Sequence, residues 1–153
     1  MKKLILVSLA VVLSMTAFSQ TSGFGIGAIL GTTADFSMKL WTSETTAFDA
    51  AVGLDLGTYG GFHTNADFLF HLWSFDVAQD MMKIYFGPGI GMSVYSGYVN
   101  NVSIYPRAPG GVGYYFHSIP LEAFAEIAPA MDLIGPWDLH FRWSSYIGAR
   151  WYF

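Results

Sequence analysis

The sequence has no cysteine among its 153 residues. This excludes structural disulfides, thiolate zinc sites, a cysteine nucleophile and a lipid-attachment cysteine. Charge is also scarce. Asp, Glu, Lys and Arg make up 12% of the chain, about half the ~25% of an ordinary soluble domain. Positive charge is scarcer than negative, with seven Lys and Arg against eleven Asp and Glu and a net charge of −4. That balance argues against nucleic acid as a partner. Beyond Gly23 no stretch approaches the ~18 uninterrupted apolar residues of a membrane-crossing helix.

What is present is apolar and aromatic residues, at 53% and 18% of the chain. This is too much apolar surface for a disordered chain, and the length suits one domain. The N-terminus reads as an export signal. A basic Met1-Lys2-Lys3 precedes an apolar run from Leu4 to Leu13, and Ala17-Phe18-Ser19 offers small residues to a signal peptidase. Cleavage before Gln20 is expected, which gives a signal over 1–19 and a domain over 20–153 of 153 − 19 = 134 residues. Loss of Lys2 and Lys3 takes the net charge to 5 − 11 = −6, and only Lys39 and Lys83 remain as lysines.

After the signal the hydrophobic pattern has period two. Phe36, Met38 and Leu40 alternate with Ser37 and Lys39, and Phe48, Ala50, Val52 and Leu54 alternate with Asp49, Ala51 and Gly53. Such alternation marks strands whose two faces meet different surroundings. Eight strands are expected, near 23–32, 34–42, 46–57, 61–74, 82–95, 104–117, 120–132 and 138–153, with turn residues between them.

The polar face of these strands is small, glycine-rich and nearly free of lysine. It cannot solvate the outside of a soluble domain, but it can fill a narrow lumen while the bulky face meets lipid. With no water outside, every backbone polar group must pair, and the sheet has to close. Strands of about 9–11 residues suffice to cross. The expected fold is therefore an all-β, eight-stranded antiparallel up-and-down transmembrane barrel in the outer membrane. Phe24, Leu40, Phe48, Leu72, Phe86, Tyr114, Phe116, Trp151 and Phe153 are expected to point outward near the rim that holds the termini, where aromatic rings favour the lipid–water boundary.

Three stretches carry a family resemblance: Arg107-Ala-Pro109-Gly-Gly111-Val-Gly-Tyr114, Pro120-Leu-Glu122-Ala-Phe124-Ala-Glu126-Ile-Ala-Pro129, and the closing Gly148-Ala-Arg150-Trp-Tyr-Phe153. In these the chain resembles small outer-membrane β-barrel domains of the OmpA/OmpX-like kind, in particular a compact subfamily without an assigned activity. The resemblance implies that Phe153 belongs to the terminal signal read by the barrel-assembly machinery during insertion.

The candidate functional residues are the inward charges. Lys39 and Asp49 should face each other across the second turn, Arg150 and Glu122 should lie at similar height, and Arg107 and Glu126 should lie higher. Isolated charges would be costly there, so a salt-bridged plug is expected. Tyr98, Asn100 and Asn101 lie in the connection 96–103, expected to face outward and to be available to an extracellular ligand. No metal spacing or nucleotide loop is present, and no cofactor is expected. A structural or surface-interaction protein, not an enzyme, is the expectation. The alternatives are a lipid-modifying barrel enzyme using the histidines, and a secreted soluble β-barrel that binds an apolar ligand.

Overall fold

The computed structural model describes residues 23–55, 61–95, 102–135 and 139–153. The expected signal segment and Tyr98, Asn100 and Asn101 lie outside the described residues. Ten strands form one antiparallel sheet: β1 (Phe24–Gly31), β2 (Thr33–Trp41), β3 (Thr46–Asp55), β4 (Gly61–Val77), β5 (Asp80–Phe86), β6 (Gly89–Tyr95), β7 (Val102–Arg107), β8 (Gly110–Tyr115), β9 (Leu121–Met131) and β10 (Phe141–Tyr152).

These ten strands make eight staves. β5 and β6 are one stave interrupted at Gly87-Pro88, and β7 and β8 are another interrupted at Ala108-Pro109. Proline has no N–H to donate to a ladder, yet the carbonyls there still serve. Phe68 N–H donates to Pro88 at 2.9 Å, Gly87 N–H to Pro109 at 3.0 Å and Ala108 N–H to Pro129 at 2.9 Å. The sheet closes where β10 pairs with both β9 and β1, in the latter case from Gly25↔Tyr152 to Gly31↔Tyr146. An eight-stave ring results, with Gly23, Phe153 and the turns 42–45, 78–79 and 116–120 at one end.

Two differences from the sequence reading stand out. The two proline breaks divide staves that read as continuous. The fourth strand extends to Val77, past the expected 74, and carries a register irregularity between His71 and Trp73. His71 pairs with Tyr85 but Trp73 pairs with Ile84, so the inward parity of His63, Asn65, Asp67 and His71 ends there.

Burial follows the alternation. Ser37, Lys39, Asp49, His63, Asp67, Tyr85, Glu122, Glu126 and Arg150 are buried inside the ring, while Phe36, Leu40, Phe48, Leu54, Ile90, Trp143 and Ile147 are exposed outside it. Closure depends on bare backbone in β1. A Cβ on Gly27 would collide with the carbonyl oxygen of Ala149 across the β1–β10 seam. Gly27→Ala should therefore destabilise the folded barrel by ~2 kcal/mol or more, read as an earlier urea unfolding midpoint in detergent micelles.

Candidate functional site

The candidate site is the barrel interior, built in three tiers. At the end that holds the termini, Trp41, Ala47, Tyr115 and Tyr152 pack into an apolar floor, with Met81 against it. The His71 ring lies 4.3 Å from that of Trp41 and 5.2 Å from that of Tyr85. Lys83 closes this end by donating to the Glu44 carbonyl at 2.9 Å, with its ammonium 4.8 Å from the Trp41 ring centre.

The middle tier is centred on Glu122. Its Oε1 accepts from Lys39 Nζ at 3.0 Å and Tyr115 OH at 2.9 Å, and its Oε2 from Arg150 Nη1 at 3.3 Å and Tyr152 OH at 2.5 Å. Arg150 also meets Asp49 at 2.5 Å and donates from Nε to Ser37 Oγ at 2.7 Å. Beside this cluster, Arg107 holds Glu126 at 2.7 Å and Asp67 at 3.2 Å. Tyr85 OH donates to Glu126 at 3.1 Å, and Asn65 Nδ2 to Asp67 at 2.7 Å.

The ladder places Lys39 opposite Asp49 and Arg150 opposite Glu122. The shortest contacts run differently. Lys39 bonds Glu122, three staves away, and Asp49 bonds Arg150. The reason lies in β1, whose inward positions at this height are Gly25 and Gly27. With no side chains there, groups from β2 reach those of β9 and β10 over bare backbone. The six charged residues singled out in the sequence thus fall into two clusters. Lys39, Asp49, Glu122 and Arg150 form one, and Arg107 and Glu126 form the other.

The upper tier went unread in the sequence. Arg142 donates to Tyr95 OH at 2.7 Å and meets Asp132 at 3.3 Å, and Ser103 donates to the same carboxylate. The Arg142 guanidinium lies 4.3 Å from the Tyr105 ring centre. His63 Nδ1 is 2.9 Å from Tyr105 OH and 3.4 Å from Ser93 Oγ, and its Nε2 is 3.8 Å from Asp35. Thr33 donates to Asp35 at 2.6 Å. The inward alternation of these residues was the available signal. Phe153 is half-buried at the seam, where its N–H donates to the Phe24 carbonyl at 2.9 Å. Among the described residues no three His, Asp or Glu side chains gather as a metal site.

Chemically this interior binds itself. Nearly every charge faces an opposite charge or a hydroxyl, as an eight-strand lumen just wide enough for side chains would require. Fold and interior together define a closed antiparallel barrel of eight staves with an apolar outside and an ion-paired inside. A solved structure with this fold is the N-terminal β-barrel domain of Pseudomonas aeruginosa OprF, with a TM-score of 0.59 and 13% identity, covering 85% of this chain and 95% of that one. The likeness is one of fold, a β-barrel. No protein-family profile and no curated protein sequence matches the chain.

Removing Glu122 should expose the strength of this network. Glu122→Gln leaves Lys39 and Arg150 without their shared carboxylate and should cost ~3–5 kcal/mol. Adding Lys39→Met should restore part of that loss, so the double mutant falls short of the summed single effects. Urea unfolding of all three variants in lipid vesicles measures the coupling.

Proposed function

We propose that this chain is an outer-membrane protein, exported by the signal 1–19, with its termini and short turns on the periplasmic side. Its role is structural or one of surface interaction, and it is not an enzyme. One observation carries the reading: the barrel is inside out relative to a soluble one. Its wall exposes Leu30, Leu54, Phe62, Ile90, Ile127, Trp143 and Ile147, while Lys39, Asp49, Arg107, Glu122, Glu126 and Arg150 are buried within. A surface of this kind is stable against acyl chains and not against water. The OprF barrel supports the same location by its fold.

The interior argues against a soluble carrier of an apolar ligand, because it is filled by ion pairs and hydroxyls where such a carrier needs an apolar lining. It also argues against an open channel. The plug formed by Glu122, Arg150, Arg107 and their partners occupies the middle of the lumen. Interaction with an extracellular ligand is assigned to the sequence segment that holds Tyr98, Asn100 and Asn101. Lipid and, during insertion, the assembly machinery acting at Phe153 are the other partners, and nucleic acid is not one.

Two measurements test this. In fractionated cells the protein should be extracted with the outer membrane and should migrate faster unboiled than boiled on a denaturing gel. In planar bilayers it should give no stable large-conductance pore. Recovery as a folded monomer in detergent-free buffer would refute the membrane assignment, and a sustained large pore would refute the plug.

A further inference from the structure

The β4–β5 hairpin does not end with the rest of the wall. The last backbone bond from β4 to the β2–β3 side is His71 N–H to the Thr45 carbonyl at 2.7 Å, yet β4 continues for six residues, 72–77. Among the described residues that edge has no strand beside it. The other side is supported. Met81 and Met82 pair with Tyr115 and Tyr114, and Asp80 accepts from Tyr114 OH at 2.7 Å and His117 N–H at 2.8 Å.

The register irregularity at Leu72 decides which way this extension faces. Before it, odd-numbered residues of β4 point inward. After it, Trp73, Phe75 and Val77 pair with Ile84, Met82 and Asp80 and turn outward, with exposures of 53%, 45% and 40%. Ser74 and Asp76 take the other face, opposite Lys83 and Met81. One apolar face thus continues the outer wall, and a polar face looks under the lumen floor.

Height excludes the hydrocarbon as the place for this face. At ~3.3 Å per residue and a tilt of ~40°, Phe62 to Leu72 already rises ~25 Å along the barrel axis, the full height of an outer-membrane apolar band. Val77 lies on the order of 12 Å further. An unpaired strand edge in acyl chains is also prohibitively costly, whereas among headgroups water and ester oxygens can satisfy it. Trp and Phe are the side chains that favour this boundary.

We infer that the 72–84 hairpin is an interfacial anchor. It lays Trp73, Phe75 and Val77 into the headgroup region of the periplasmic phospholipid leaflet, on one side of the barrel only. This rests on the membrane assignment proposed above. Lys83, the cation of this hairpin, is buried and donates to the Glu44 carbonyl, which leaves Asp76 and Asp80 as the outlying charges, so the contact is apolar and needs no anionic lipid.

The cysteine-free sequence permits a clean test. Single-cysteine variants Phe75→Cys, Asp76→Cys and Ile147→Cys, labelled with bimane, are refolded into phosphatidylcholine vesicles and quenched separately with lipids bearing a nitroxide on the headgroup, with lipids bearing one deep in the acyl chain, and with aqueous iodide. Position 147, on the wall, reports the membrane assignment. The anchor requires acyl-chain quenching at 147 and, at 75, headgroup quenching that exceeds acyl-chain quenching and is unchanged by added salt, with iodide quenching several-fold stronger at 76 than at 75. Iodide quenching at 75 with lipid quenching at 147 overturns the anchor and leaves the membrane assignment standing. Shielding of 75 from the lipid quenchers and from iodide alike also overturns it, because the face is then covered by protein. Iodide quenching at 147 overturns the membrane assignment itself.

Discussion

The structure depends on closure of the backbone ladder. In apolar surroundings an open sheet edge would leave each N–H and C=O without a partner. The β1–β10 seam closes the ring of eight staves, beyond which, among the described residues, the 72–77 edge of β4 stays unpaired, and it forms with bare backbone at Gly25 and Gly27. Closure fixes the interior as well. Eight staves enclose a bore that side chains can fill, so whatever points inward must fit and must be neutralised there.

The seam's glycines serve the interior too. By leaving β1 without side chains at mid-height, they let Lys39 on β2 meet Glu122 on β9 and let Arg150 reach Ser37 and Asp49. Other inward glycines accommodate rings in the same way. Gly91 lies against Tyr105, Gly111 against Tyr85 and Gly148 against Phe124. Charged and aromatic groups thereby interlock across the bore, and the carboxylate of Glu122 accepts from four donors on separate residues.

Much of this was legible in the sequence because the two faces meet such different surroundings. Period two assigned the inward residues from Lys39 and Asp49 in β2 and β3 to Arg150 in β10, and the inward face was legible as small and glycine-rich. The ion-pair partners were not legible. Opposite positions on adjacent strands follow from turn placement, but contacts across a bore depend on tilt and on which intervening positions lack side chains. Arg142, Asp132 and Tyr105 escaped notice because their pairing needs three separate staves brought together. The irregularity after His71 was missed as well. Trp73, Phe75 and Val77 alternate with Ser74 and Asp76 in the opposite parity to Phe68, Phe70 and Leu72, but the expected strand ended at 74, and the ladder shows where the parity reverses.

The proline breaks have a mechanical consequence. Pro88, Pro109 and Pro129 lie on neighbouring staves and are linked through the acceptors of one row, with Phe68, Gly87 and Ala108 as donors. Each lacks a donor of its own, so the wall carries fewer crosslinks along this diagonal than along a row of ordinary residues. The cylinder is therefore expected to yield along that line first under load.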